Sequence, residues 1–63
     1  TLVQVNVGRS DGVQENMKFM VHRGDQFVGN LVIEAVDADA SAGRIVLAKD
    51  QIQPGDAILA GSF

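Results

Sequence analysis

The chain has 63 residues, no cysteine, one histidine, and 5 basic against 8 acidic residues for a net charge of −3. A disulfide and a zinc site built from His and Cys are thereby excluded, and the scattered Arg9, Lys18, Arg23, Arg44 and Lys49 lack the clustering of a nucleic-acid binder. A domain of this size buries only about 60% of the surface its unfolded chain exposes, so support from oligomerisation or from a neighbouring segment is expected.

The opening TLVQVNV, Thr1–Val7, alternates. Val3, Val5 and Val7 take one side and Gln4 and Asn6 the other, the period of a half-buried strand. The connection GRSDGVQEN follows, with Gly8, Asp11 and Gly12 as turn residues. Val13 stands alone among polar neighbours and is expected to plug the core beside one turn of 3₁₀ helix. MKFMVHR, Met17–Arg23, alternates again, with Met17, Phe19 and Val21 sharing one face and Lys18, Met20 and His22 the other. Gly24 and Asp25 make a tight turn, so the next strand should form a hairpin with this one.

That next strand, QFVGNLVIEAVD (Gln26–Asp37), is the longest. Gly29 in its middle predicts a bulge or bend. Leu31, Ile33 and Ala35 are expected on one face and Val32, Glu34 and Val36 on the other. ADASAG, Ala38–Gly43, reads as a loop of small residues. Arg44–Ala48 is a strand with Ile45 and Leu47 inward. The following connection has Ile52 as a lone apolar plug and Gly55 in its turn. Asp56–Ala60 is the last strand, and Gly61–Phe63 a tail. No segment carries a helical stripe over the ~11 residues needed for one. The fold class is therefore all-β: a small five- to six-stranded barrel or strongly curled antiparallel sheet, one domain over residues 1–63, with no substantial helix.

The chain also echoes itself. Val13-Gln14-Glu15-Asn16 before the second strand matches Ile52-Gln53-Pro54-Gly55 before the last. Each is a lone aliphatic, a glutamine and a turn pair. The shared pattern predicts one device used twice, a plug closing one end of the barrel and a turn launching a strand.

Candidate chemistry is sparse. Gly8-x-x-x-Gly12 lacks the Gly-Lys-Ser/Thr and the following helix of a phosphate loop. His22 has no evident nucleophile or orienting acid, and Ser10 and Ser41 lie in loops with no base near. Asp37 and Asp39 alternate as in some calcium loops, but the required glycine and final glutamate are missing, so they read as turn caps. Asp25 and Asp56 each follow a glycine and are expected to bond turn amides. No catalytic, cofactor-binding or metal residue is assigned, and the chain reads as no enzyme. The stronger signal is surplus apolar surface. Met20, Val28, Val32 and Val36, with Val46, fall on faces opposite the inferred core, and an uncovered apolar patch marks a partner.

Asn6-Val7-Gly8, Asp11-Gly12-Val13, Phe19-x-Val21-x-Arg23, Gly29, Ser41-Ala42-Gly43 and Ile52-x-x-Gly55-Asp56 together resemble a small β-barrel domain from the C-terminus of bacterial envelope proteins. The family named by this resemblance is the C-terminal domain of the flagellar assembly protein FlgT, with similar domains in uncharacterised planctomycete and verrucomicrobial proteins, often after a coiled coil. The β-domains of the rod-shape protein MreC look similar, more weakly. The chain departs from the family at Glu15-Asn16, where a glycine is usual. The family also usually opens with a Gly-x-Val strand ahead of the first one here, which is either absent or short and contained in Thr1–Leu2; if it is missing, the barrel has an open edge. The resemblance implies a non-enzymatic protein-interaction or scaffold module of an envelope-associated assembly, in the cell envelope or periplasm, with no cofactor. A small-ligand or carbohydrate-binding barrel is the alternative, disfavoured by the absence of Trp and Tyr.

Opening at Thr1 without Met, the chain reads as a piece of a longer polypeptide. The expected partner is a second copy, in a symmetric dimer through the edge of Thr1–Val7 or the Val28–Val36 face, or another part of the parent protein. Neither nucleic acid nor direct membrane insertion is expected, since no apolar run approaches the ~20 residues of a membrane-spanning helix.

Overall fold

The computed structural model describes residues 2–61. Thr1 of the expected first strand and Ser62 and Phe63 of the expected tail lie outside the described residues. Among the described residues five strands form one sheet: β1 (Leu2–Val5), β2 (Lys18–Arg23), β3 (Gln26–Val36), β4 (Ser41–Ala48) and β5 (Ala57–Ala60). Their order is β1-β4-β3-β2-β5, and every neighbouring pair is antiparallel. The all-β expectation holds in the form of a curled sheet that does not close, since β1 and β5 are both edges.

The core follows from the alternation. Val5, Phe19, Val21, Leu31 and Ile33 point inward, joined by Val13 from the first connection and by Val28. Val3, Val7, Met17, Val36, Ile52 and Ile58 pack around them half-buried. Val13 and Ile52 thus plug the interior as their isolation among polar residues predicts. A 3₁₀ turn at Arg9–Asp11 precedes Val13. Its entry is held by Asp11, whose Oδ2 accepts the Gly8 amide at 3.0 Å.

Three bulges curl the sheet. Val21 faces Gly29 and His22 faces Phe27, which leaves Val28 as an extra residue on β3. Asn30 faces Leu47 and Leu31 faces Ile45, so Val46 is extra on β4. Ile33 faces Gly43 and Ala35 faces Ala42, so Glu34 is extra on β3. Each bulge bends its strand and resets the in-out alternation beyond it.

Four expectations are corrected, three of them by these bulges. Val28 is not on the outer face but in the core at 0% exposure. At a bulge, consecutive residues can face the same side, and Gly29 beside it leaves the space. The Val28 carbonyl accepts the Lys49 and Asp50 amides at 2.8 and 3.2 Å. Val36 packs against the core and Ala35 is exposed, because Glu34 shifts the alternation. Leu47 is not inward but 51% exposed, beyond the bulge at Val46. Ser41–Gly43 belong to a strand and not to a loop, pairing with β1 on one side and β3 on the other. Small residues are needed there: a Cβ on Gly43 would stand 2.7 Å from the Leu31 Cδ1.

Candidate functional site

The two launching turns are the same structure. The Met17 amide bonds the Gln14 carbonyl, and the Asp56 amide bonds the Gln53 carbonyl, both at 3.2 Å. The third residue of each turn has positive φ: 69° at Asn16 and 93° at Gly55. This is the signature of a type II turn, which favours Gly or Asn at that position and Pro one before it, as at Pro54. The strands they launch, β2 and β5, lie side by side. Met20 faces Leu59, Phe19 faces Ala60 and Val21 faces Ile58. Matching the repeats residue by residue makes Met20 the counterpart of Leu59, Phe19 of Ile58 and Val21 of Ala60. The ladder is therefore two-fold symmetric about Met20 and Leu59.

The outer face of the sheet carries an apolar row. Leu59 on β5 faces Met20, Met20 faces Asn30 on β3, and Asn30 faces Leu47 on β4. Leu59 and Leu47 are 57% and 51% exposed, and Met20 is half-buried. Within this row the Asn30 side-chain oxygen is buried with no hydrogen-bond donor. In the next row Val32 lies between Lys18 and Arg44, with Leu2 beyond Arg44. Of the residues expected at an interface, the structure leaves Met20 and Val32 on this face and takes Val28 and Val36 into or against the core.

A groove of about 720 Å³ separates the free edges of β1 and β5. One wall is residues 3–7, the other residues 52–58, and Val21 and Leu31 form the floor. Among the described residues, Asp56 is its one ionisable lining residue. That carboxylate is 5% exposed and clasped by Arg23: Nε donates to Oδ1 at 2.8 Å and an Nη to Oδ2 at 2.9 Å. Oδ2 also accepts the Gln53 amide at 2.9 Å, the turn-capping role expected of Asp56. The Arg23 bonds first, and then the Gln53 amide, hold the Asp56 carboxyl below its ordinary range.

The remaining turn residues sit as the sequence places them. Gly12 and Gly24 have positive φ, and Gly24 opens the two-residue hairpin loop with Asp25. Asp25 makes no side-chain bond to a turn amide, in contrast to Asp56 and Asp11. His22 Nδ1 lies 3.1 Å from the Gly24 carbonyl oxygen, at the hairpin end of β2. Asp39 accepts the Ser10 hydroxyl at 3.0 Å, and the Asp37 carbonyl accepts the Arg9 amide at 2.8 Å. Ser41 is buried, its hydroxyl donating to the Val7 carbonyl at 2.7 Å. Among the described residues no three His, Asp or Glu side chains converge as metal ligands would. The groove was not legible beforehand, because it depends on which strands end as edges.

Compared with family models, curated proteins and solved structures, the chain matches none.

Proposed function

We propose that this domain is a non-enzymatic protein-interaction module that works through the outer face of its sheet. The observation that carries this reading is the row Leu59-Met20-Asn30-Leu47, apolar at both ends and holding a buried, unbonded amide oxygen. A surface of this kind gains about 25 cal/mol for each Å² of apolar area covered, a large term for a domain with a small core. The first partner is a second copy, in a symmetric dimer. A setting in a bacterial envelope assembly rests on the sequence resemblance alone.

Sedimentation equilibrium at micromolar concentration tests the reading. A dimer is expected, converted to monomer by Leu59→Lys with the β-sheet circular-dichroism signal retained. A monomer at every concentration, unchanged by Leu59→Lys or Val32→Lys, rejects self-association.

The groove volume falls in the ~300–1,000 Å³ range of small-molecule sites, which favours small-ligand binding as a second reading. Its lining offers few converging polar groups, so it ranks below. A thermal-shift screen against sugars and nucleotides would raise it on a clear hit.

A further inference from the structure

We infer that the groove between β1 and β5 is a receptor for one extended peptide strand of another polypeptide, which inserts between the two edges and completes a six-stranded antiparallel barrel. This builds on the reading of the domain as an interaction module but concerns a different surface.

Strand direction is the first argument. Four successive antiparallel pairings link β1 to β4, β3, β2 and β5, so β1 and β5 run the same way. An antiparallel ladder cannot close between them directly. A single strand antiparallel to both closes it and satisfies the exposed amides and carbonyls of two edges at once.

The internal two-fold supplies the second argument. On its outer side β2 is flanked by β3, where the Asn16 amide donates to the Ile33 carbonyl at 2.8 Å and the Ile33 amide to the Met17 carbonyl at 2.9 Å. The counterparts of Asn16 and Met17 are Gly55 and Asp56. Both line the groove, and among the described residues no strand lies where β3 lies for β2. The symmetry therefore places a strand beside β5, with one residue bonding the Gly55 amide and the Asp56 carbonyl as Ile33 bonds theirs.

Charge and topology define the occupant. The inward surface it would meet is Val3, Val5, Val21, Leu31, Ile52 and Ile58, and the one nearby charge, Asp56, is already neutralised by Arg23. An inward charge on the strand would be left unpaired, so its inward residues are aliphatic at alternate positions. β1 and β5 have four residues each, and at ~3.3 Å per residue a segment of about six covers them. A second folded copy is unsuited, because each of its strands already pairs along at least one edge and an inserted strand needs both edges free.

The probe is a fluorescein-labelled synthetic peptide of about eight residues, alternating valine with threonine and carrying a lysine at each end, titrated into the full chain by fluorescence polarisation. Saturable one-to-one binding and a raised melting temperature are expected. Two further peptides carry N-methyl groups on one or the other alternate set of backbone amides. Insertion between two edges uses both sets, so both peptides should bind about tenfold more weakly or worse. One harmless pattern means addition to a single edge and overturns insertion. Ile58→Lys should abolish binding, and Leu59→Lys, on the outer face, should leave it intact. The reverse result places the peptide on the outer face, overturning this inference while the proposed function stands. No saturable binding, or a response only to sugars or nucleotides, overturns it as well.

Discussion

Arg23 and Asp56 form a two-pronged ion pair, at 2.8 and 2.9 Å, that ties the hairpin end of β2 to the turn launching β5. The Nη2 that bonds Asp56 Oδ2 also donates to the Gln51 carbonyl at 3.0 Å, and Asp50 lies 3.7 Å from Nη1. One side chain thus gathers the whole β4–β5 connection. A planar fork matched to a carboxylate is a role lysine cannot take over.

The pair makes stability depend on pH in acid. The folded-state Asp56 carboxyl titrates below its unfolded value, chiefly because Arg23 bonds it. Its contribution is therefore complete above the ordinary carboxylate range near pH 4 and is lost as pH falls through the lower folded value. Urea midpoints measured from pH 7 down to pH 2 should fall in that acid window, and Asp56→Asn should flatten part of the fall. Asp56→Asn and Arg23→Lys should both lower the melting temperature at pH 7. A pH profile identical in wild type and Asp56→Asn would show that the pair is energetically idle.

Asn16 holds φ at 69° in the turn that launches β2, where its counterpart in the second turn is Gly55. Left-handed backbone is tolerated by Gly and Asn and disfavours residues with a bulkier Cβ by about 1–2 kcal/mol. Asn16→Gly should be close to neutral, and Asn16→Val should destabilise by about that amount. Chemical denaturation of both variants checks the pair.

Gly29 approaches β4 closely enough that a Cβ there would stand 2.4 Å from the Leu47 carbonyl oxygen. Backbone, not a flexible side chain, is in the way, so β4 must shift. Gly29→Ala should destabilise by about 1–3 kcal/mol, the usual range for overpacking. Amide exchange should accelerate along Ile45–Ala48 before it does so elsewhere.

Val28 and Val32 separate core from surface on one strand. Val28 is fully buried at the bulge and Val32 is half-buried between Lys18 and Arg44. At ~0.8 kcal/mol per buried CH₂ plus a cavity term, Val28→Ala should destabilise by about 2 kcal/mol or more. Val32→Ala should change stability by less than about 1 kcal/mol. Equal effects would place the bulge elsewhere on β3.

Much of the fold was legible because its signals are local. Alternation of Val, Phe and Leu against polar residues marks the strands, and Gly24-Asp25 marks the hairpin. The isolation of Val13 and Ile52 among polar neighbours marks them as plugs, and the repeated aliphatic-Gln-turn pattern foretells two equivalent turns. Asp56 was readable as a turn cap, but its grip by Arg23 was not, since the two lie far apart in the chain.

The sequence by itself determined an all-β chain, its turns and most of its core, because those follow from side-chain period and from the φ preferences of Gly and Asn. Only the tertiary structure decided the faces of β3 and β4. An extra residue at Val28, Glu34 or Val46 reverses the alternation beyond it, and its position depends on which partner residue stands opposite. Ser41–Gly43 became strand for the same reason: two neighbouring strands supply their backbone bonds, overriding the loop-like composition. The groove between β1 and β5 is likewise tertiary. It exists because the bulges curl five strands until two edges that run the same way, and so cannot join an antiparallel ladder, face each other across an apolar floor.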